Sequence, residues 1–179
     1  MGLDPRTVRP RPRPGAAAPA RAKREVFLVD SNDAMCRLFG QLSRTPQTAS
    51  EAFCEAPHSL IPLSDARPGR HQRDGWGVGW FDAKGKPRIL KSAKPIFEEK
   101  ARAEAAARSA VSRAVIGHIR AASNPKGLPT SRIMGPLNNQ PFGEGGWLFA
   151  HNGTLEIPDE VAGLLGPSRA KLRSNNDSE

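Results

Sequence analysis

Residues 35–40 read Met-Cys-Arg-Leu-Phe-Gly, and they predict the first strand of a folded domain, which we expect to cover residues 35–42. A methionine directly before Cys36 has the form of a translation start. If Cys36 becomes the first residue, its thiol and its free α-amine share one carbon, and the amine (pKa ~8) can accept the proton of the thiol. The other interpretation is that Cys36 is a small buried apolar residue at the start of a strand, as free cysteines usually are.

The stretch before this strand, residues 1–34, is dominated by arginine, proline and alanine, with Arg-Pro repeated through residues 9–14. Such a composition cannot bury enough apolar surface to offset the cost of ordering, so we predict a disordered leader. An intact leader would also block the Cys36 amine. We therefore expect the leader to be absent from the native protein or removed, and we place the domain at residues 35–179.

The length of 179 residues fits one domain with a tail, since a domain typically takes ~100–200 residues. The formal net charge of +9 is compatible with a nucleic-acid binder that acts through the arginine-rich leader. However, no helix-turn-helix or zinc-finger spacing accompanies this charge, and we predict no nucleic-acid partner.

Only two cysteines occur, Cys36 and Cys54, without a Cys-x-x-Cys or His-Glu-x-x-His motif. We therefore expect no disulfide framework, no metal and no cofactor. The longest apolar run near the N-terminus, residues 26–29, is too short for a signal peptide or a membrane span. The sequence thus predicts a cytoplasmic protein with no membrane partner.

Several further elements can be predicted from local pattern. Glycine alternates with Trp and Val in residues 76–81, which predicts a strand whose backbone is closely approached by another part of the molecule. A turn at residues 82–85 should lead to a return strand at residues 88–92. The remaining predictions are a helix at 97–111, an apolar central strand at 114–120, a short buried strand at 147–150 and a helix at 158–165.

Residues 44–73 and 127–141 show no steady period and are predicted to be loops, the first with one helical turn near residues 51–54. Within the apolar strand, His118 is expected to be a hydrogen-bonded core histidine rather than a catalytic base. The three tryptophans, Trp76, Trp80 and Trp147, are expected in the core or in a pocket wall.

Polar residues stand at the ends of three predicted strands. Arg120 closes one strand and can grip a carboxylate through two parallel hydrogen bonds, to which the Ser123 hydroxyl could add a third. After another strand, the Asn152 amide and the Gly153 N–H are donors of the kind that an oxyanion needs. Asp177 could bind an ammonium group. Two other interpretations are open here: Arg120 pairs with a structural acid, and His-Asn-Gly is an ordinary turn.

Taken together, six motifs occur in a fixed order: Met-Cys-Arg-Leu-Phe-Gly, Asp-Gly-Trp-Gly-Val-Gly-Trp, Gly-His-Ile-Arg-Ala-Ala-Ser, Asn-Gln-Pro-Phe, Phe-Ala-His-Asn-Gly and Asn-Asp-Ser-Glu. This order closely resembles the class II (N-terminal nucleophile) glutamine amidotransferases. Within them the chain is most similar to small stand-alone members, which include the ergothioneine-pathway amide hydrolases. The resemblance covers residues 35–179.

The resemblance implies an α+β fold, a four-layer α/β/β/α sandwich with two antiparallel sheets. By similarity, Cys36 is the nucleophile with its own α-amine as the general base. The other site residues carried over are Asn152 and Gly153 for the oxyanion, Arg120 and Ser123 for the substrate α-carboxylate, Asp177 for its α-ammonium, and Asp74 and Gly75 beside the glutamine pocket. Relatives often have histidine where this chain has Gln140. They also continue with more helix and strand beyond the Asp177 motif, so we expect a chain truncated at its C-terminus.

The predicted activity is that of a glutaminase-type amide hydrolase. It would release ammonia or an amine from glutamine or from a γ-glutamyl amide, through a thioester on Cys36. A separate synthase partner could use the ammonia, or the reaction could be simple hydrolysis. The alternative prediction is a catalytically silent protein of the same fold that binds γ-glutamyl compounds, because the leader masks Cys36.

Overall fold

The computed structural model describes residues 24–29, 36–65 and 72–179. A five-stranded sheet dominates these residues, with its strands in the order β1-β2-β5-β3-β4 and every neighbouring pair antiparallel. Its strands are β1 (Arg24–Val29), β2 (Arg37–Gln47), β3 (Trp76–Phe81), β4 (Pro87–Ser92) and β5 (Ser112–Ile119). The predicted hairpin of β3 and β4 and the central position of β5 are confirmed.

Strand β1 corrects one prediction. Residues 1–34 were expected to be wholly disordered, but Arg24–Val29 form a strand that pairs with β2, from Arg24 opposite Ser43 to Val29 opposite Leu38. The physical reason is local, because the run Val-Phe-Leu-Val favours a strand wherever a neighbouring edge offers hydrogen-bond partners. The rest of the predicted leader, and Met35, lie outside the described residues.

Helices cover one face of the sheet. They are a π-helical segment (Glu51–Glu55), α1 (Leu60–Asp65), a 3-10 segment (Ile96–Glu98) and α2 (Lys100–Ser109). The predicted helical turn near 51–54 and the helix within 97–111 are confirmed. Helix α1 is a correction, since residues 44–73 were expected to be a loop apart from that turn. Its proline stands within the first turn, where a missing N–H is tolerated.

The core lies between these helices and the sheet. Phe39, Phe53 and Trp76 are fully buried, and their rings meet edge to face with centroids 5.8 Å and 6.0 Å apart. Helix α2 contributes a stripe of buried alanines that lets it pack closely on this aromatic row. The core position of Trp76 is therefore confirmed, while Trp80 is half-buried and packs against the same cluster.

The opposite face of the sheet has a different composition. Its paired residues form two rows across the strands: Leu38, His118, Gly77 and Lys91 in one, and Gly40, Ile116, Gly79 and Ile89 in the next. We call this face, which contains Gly40, Gly77 and Gly79, the glycine face. A second, two-stranded antiparallel sheet of β6 (Phe142–Glu144) and β7 (Trp147–Phe149) packs against it. A Cβ at Gly79 would lie 2.8 Å from Pro141 and 3.1 Å from Leu148. The predicted close approach to the β3 glycines is thus confirmed.

The second sheet also brings two corrections. Strand β6 was not predicted, because residues 127–141 and their surroundings have no strand periodicity. Strand β7 was expected to be buried, but Trp147 is 78% exposed and Phe149 is 52% exposed. Trp147 is therefore not a core residue, although it does line a cavity.

The rest of the chain consists of short helices and loops. Loop 127–141 contains α3 (Thr130–Ile133) and a 3-10 turn (Pro136–Asn138), and the predicted helix near 158–165 is confirmed as α4 (Pro158–Leu164), followed by a 3-10 segment (Gly166–Lys171). Within the described ranges, every helix is too short or too polar to span a bilayer. The fold is therefore a mixture of helices and two antiparallel sheets, as an α+β class predicts.

Candidate active site

Three of the predicted site segments meet at one end of the five-stranded sheet. Cys36 immediately precedes β2, Gly75 immediately precedes β3, and Arg120 immediately follows β5. Because β5 runs antiparallel to both neighbours, its last residue, Ile119, is paired with the first residues of β2 and β3. The topology alone therefore brings these three sequence-distant segments together.

The Cys36 thiol is buried against the loop that follows β5. Cys36 is only 8% exposed, and its Sγ lies 3.3 Å from both the backbone nitrogen and the carbonyl oxygen of Ala121. Burial raises the pKa of Cys36, and the Asp177 carboxylate adds to the rise, while the Ala121 hydrogen bond and the Arg120 charge oppose it. At neutral pH the group is consequently a thiol, and a base is needed to make it a nucleophile.

Arg120 is the cation of this cluster. It is 3% exposed, and its Nη1 donates a hydrogen bond of 2.7 Å to the Ile133 carbonyl. Burial lowers its pKa, while the charges of Cys36, Asp74 and Asp177 act in the opposite direction. The charges of two carboxylates and of the thiol therefore act on the guanidinium, which has further N–H groups besides the one that donates to Ile133.

Asp74 and Gly75 shape the loop after β5. The Asp74 carboxylate accepts a 2.7 Å hydrogen bond from the Ala122 N–H, and the Arg120 N–H donates to the Gly75 carbonyl at 2.8 Å. Gly75 has φ +111°, and a Cβ there would lie 2.0 Å from the Asn139 amide nitrogen. The position therefore demands glycine on structural grounds.

Asp177 links this cluster to the loop that carries Asn152 and Gly153. One carboxylate oxygen lies 3.5 Å from the Ser123 hydroxyl, and the other accepts a 2.6 Å hydrogen bond from the Leu155 N–H. Asn152 and Gly153 are half-buried and sit between His151 and Leu155. The structure thus joins Cys36, Arg120, Asp74, Ser123 and Asp177 by direct contact or charge, and Asn152 and Gly153 enter the cluster through the loop that Asp177 holds.

His151, at the start of that loop, is held by two other residues. Its backbone N–H donates to the Gln140 side-chain carbonyl at 2.5 Å, and its ring Nδ1 lies 2.8 Å from the Ser178 hydroxyl. Sequence reasoning gave neither contact. Gln140 was singled out in the Asn-Gln-Pro-Phe motif as a position where relatives often have histidine, but its contact with His151 was not predicted. The Ile133 carbonyl has no sequence signal, since every residue has a carbonyl.

His118 lies beneath the same end of the sheet and is fully buried. Burial lowers its pKa to about 3, with the nearby charges of Arg120, His151 and Lys91 contributing. The predicted core position of His118 is confirmed. The predicted hydrogen bond is not, since within the described part of the chain neither ring nitrogen has a partner in good geometry. The His151 backbone does act on the ring, in the direction that raises its pKa.

A cavity of about 880 Å³ lies away from this cluster, between the second sheet and the C-terminal 3-10 segment. It contains none of the predicted catalytic residues, and Lys91, Phe142 and Trp147 are among its walls. Among the residues that the structure describes, no three histidine, cysteine or acidic side chains converge as metal ligands.

The family "Glutamine amidotransferases class-II" matches residues 35–169 of this chain. A γ-glutamyl-hercynylcysteine sulfoxide hydrolase of Mycolicibacterium smegmatis is 32% identical over 126 residues, which are 68% of this chain and 52% of the relative. The protein of the same description from Mycobacterium tuberculosis is 31% identical over 127 residues, 68% of this chain and 50% of the relative.

The chain therefore spans about half the length of these relatives. The match begins at residue 35, directly before Cys36, and covers the segments of Cys36, Gly75 and Arg120 that meet at the end of the sheet, while Asp177 lies beyond its end at residue 169. The resemblance read from the ordered motifs is confirmed, and the chain belongs to the class-II glutamine amidotransferases.

Proposed function

We propose that this protein is an amide hydrolase that cleaves the side-chain amide of glutamine or of a γ-glutamyl compound, with Cys36 as the nucleophile. The observation that carries the proposal is the burial of the Cys36 thiol beside Arg120 and Asp177 at one end of the sheet. An α-amino acid head group carries one anion and one cation. A buried cation and a half-buried anion next to a thiol are therefore suited to holding that head group.

The substrate head group would be bound by side chains with complementary charge. Arg120 and Ser123 would hold its α-carboxylate, and Asp177 would hold its α-ammonium. Asp74 and Gly75 would shape the wall of the pocket, since they already fix the loop after β5. These roles leave the γ-amide free to extend toward Cys36.

The first chemical step would form a thioester. The Cys36 sulfur attacks the amide carbon, and its proton passes to the Cys36 α-amine. The developing oxyanion accepts hydrogen bonds from the Asn152 amide and the Gly153 N–H, each donor being worth ~2.7–4 kcal/mol in acyl transfer. The C–N bond then breaks, and the leaving ammonia or amine takes the proton from the α-ammonium of Cys36.

The second step would regenerate the enzyme. Water gives a proton to the Cys36 α-amine and attacks the thioester carbon. The C–S bond breaks, the sulfur recovers that proton from the α-ammonium, and the product leaves as a γ-carboxylic acid that gives its remaining proton to solvent. Both steps need an unblocked α-amine on Cys36. The proposal therefore requires that the peptide bond before Cys36 be cleaved, or that the native protein lack the preceding residues.

The activity for which these relatives are named favours a γ-glutamyl compound over glutamine as the substrate. On that basis we propose simple hydrolysis, with no need for a separate synthase to take up ammonia. Two free cysteines are best maintained in a reducing compartment, which supports a cytoplasmic location. The proposal has no place for nucleic acid or a membrane.

For the fold we propose the four-layer α/β/β/α sandwich of N-terminal nucleophile hydrolases. Support comes from the order of layers around the five-stranded sheet, with α1 and α2 on one face and the β6–β7 sheet on the other. The uncovered part of that second face includes Leu42, which is 58% exposed and suited to packing against more chain.

The test is Cys36→Ala, with Cys54→Ala as the matched control because Cys54 is only partly buried and packs on the helix-covered side. Amine release from a γ-glutamyl anilide and covalent labelling by a glutamine-like diazoketone should both disappear in Cys36→Ala and persist in Cys54→Ala. Unchanged turnover in Cys36→Ala would refute the proposal. Binding of a γ-glutamyl compound by a wild-type protein that is neither active nor labelled would instead support the catalytically silent alternative.

A further inference from the structure

We propose that Gln140 is a positioning residue for the oxyanion donors: its side-chain carbonyl holds the backbone N–H of His151 and so fixes the start of the loop that carries Asn152 and Gly153. This inference rests on the proposed function, since it concerns how that reaction's donors are aimed. Gln140 itself does not touch the reacting atoms. It acts through the neighbouring loop.

The first support is the hydrogen bond itself. Gln140 is 3% exposed, and its Oε1 accepts from the His151 N–H at 2.5 Å. His151 directly precedes Asn152, so an acceptor fixed here sets the direction in which the chain enters the loop. A buried amide has little rotamer freedom left, and its oxygen is therefore a rigid reference point.

The second support is the seating of Gln140 on the main sheet. Its backbone carbonyl occupies the space that a Cβ would take at Gly77, only 2.3 Å from that Cβ position, and Pro141 fills the space above Gly79. Gly77 is paired with His118 in β5, two residues before Arg120. Gln140 is thus built into the same sheet end that carries Cys36.

The third support is that the loop is held at both of its ends. The Gln140 oxygen accepts from His151 at the start, and the Asp177 carboxylate accepts from Leu155 at 2.6 Å. Asn152 and Gly153 lie between these two anchors. A misplacement of about 1 Å costs on the order of 10²-fold in rate, so losing one anchor should be visible in turnover.

The experiment compares Gln140→Met with Gln41→Met. Both glutamines are buried, and Gln41 lies on the helix-covered face, where its Nε2 donates to the Thr48 carbonyl at 3.2 Å. Because the oxyanion exists only after attack, Gln140→Met should lower kcat on a γ-glutamyl anilide on the order of 10²-fold, with KM changed less than about twofold. Gln41→Met should keep the wild-type kcat per folded molecule.

A conservative variant separates positioning from bulk packing. Gln140→Glu keeps an acceptor oxygen at the same distance from the backbone, and its kcat should be at least about tenfold higher than that of Gln140→Met. If Gln140→Met does not fold, Gln140→Asn, which withdraws the oxygen by one methylene, carries the same kinetic test. Equal kcat losses in Gln140→Glu and Gln140→Met, matched by Gln41→Met, would overturn the inference.

A readout without catalysis distinguishes this inference from the proposed function. Labelling with ¹⁵N-histidine gives one amide signal for each of the four histidines, and the His151 signal can be identified by its loss in His151→Gln. We expect it downfield and slow to exchange in wild type, and shifted upfield with faster exchange in Gln140→Met. An unmoved signal overturns the positioning role even if the enzyme is active. A moved signal from an inactive wild-type protein would refute the proposed function and leave the contact established.

Discussion

The two faces of the five-stranded sheet differ in composition and in what covers them. The helix-covered face presents Phe39, Trp76 and Val78, all fully buried under apolar side chains. The opposite face presents Gly77 and Gly79, which have no side chain and admit the Gln140–Pro141 segment and the second sheet instead.

This difference separates stability from site construction. On the helix side, burial of large apolar groups supplies the hydrophobic stabilisation of the domain. On the glycine face, each residue buries little apolar area. The absence of side chains at Gly77 and Gly79 instead lets the backbone of the Gln140–Pro141 segment lie directly against the sheet. The same strands, β3 and β5, serve both purposes because successive side chains point to opposite faces.

The largest expected effect is on the helix-covered face. Phe39→Ala should lower the free energy of unfolding by about 3–5 kcal/mol, since it leaves a cavity beside Phe53 and Trp76. Leu42→Ala, in the same strand but 58% exposed, should change it by less than about 0.5 kcal/mol. Urea unfolding followed by tryptophan fluorescence measures both. Equal losses would contradict the contrast between the faces.

The next effect is on the glycine face. Gly77→Ala places a methyl group 2.3 Å from the Gln140 carbonyl, so the segment must move, at a cost of about 1–3 kcal/mol in stability. Turnover should fall on the order of 10²-fold, as expected for displaced oxyanion donors. The matched control is Gly40→Ala on the same face, where a Cβ meets nothing within 4 Å. Wild-type turnover in Gly77→Ala would show that Gln140 is not seated by this contact.

A pH effect should distinguish the buried imidazole on the glycine face. The pKa of His118 is lowered from 6.5 to about 3 by burial, so the unfolded chain binds this proton more readily between those pH values. Stability should therefore fall as pH drops through this window, with a slope approaching ~1.4 kcal/mol per pH unit. In His118→Gln the slope should be smaller. The exposed His58→Gln serves as the control, and an unchanged slope in His118→Gln would contradict the burial argument.

The smallest effects are opposite shifts at the nucleophile. Arg120 lowers the pKa of Cys36 and Asp177 raises it, against the dominant effect of burial. In a Cys54→Ala background, the pH at which iodoacetamide alkylation of Cys36 accelerates should rise in Arg120→Gln and fall in Asp177→Asn. Shifts of the same sign in both variants would show that their charges do not act on the thiol as the geometry indicates.

Local sequence pattern predicted most of the strands and helices, but few of the contacts that they make. The glycine alternation of β3 indicated a close approach, yet nothing in residues 76–81 specified that Gln140 and Pro141 make it. Cys36 and Arg120 were predicted at strand ends, but it is the antiparallel pairing of Arg37 with Ile119 that brings them to the same end of the sheet. The oxyanion role of Asn152 and Gly153 was first suggested by two donors that follow a strand, with an ordinary turn as the alternative, and the family resemblance then favoured the oxyanion role.

The structural features that were predicted wrongly or not at all have physical explanations. Helix α1 contains a proline and is too short for a helical period to appear. Trp147 was expected to be buried because its strand is apolar, but apolar composition does not say which side of a small sheet is covered. The hydrogen bond from Arg120 to Ile133 depends on a backbone carbonyl that only the folded loop brings into range.

Strand β1 lies upstream of Cys36, yet it completes the sheet whose end holds Cys36. Cleavage before Cys36 would turn β1 into a separate peptide, held to β2 by backbone hydrogen bonds. Its departure would leave β2 with a row of unpaired N–H and C=O groups, which is a template for pairing with another chain. Liberating the nucleophile and keeping the sheet edge closed are thus competing demands on the same short connection.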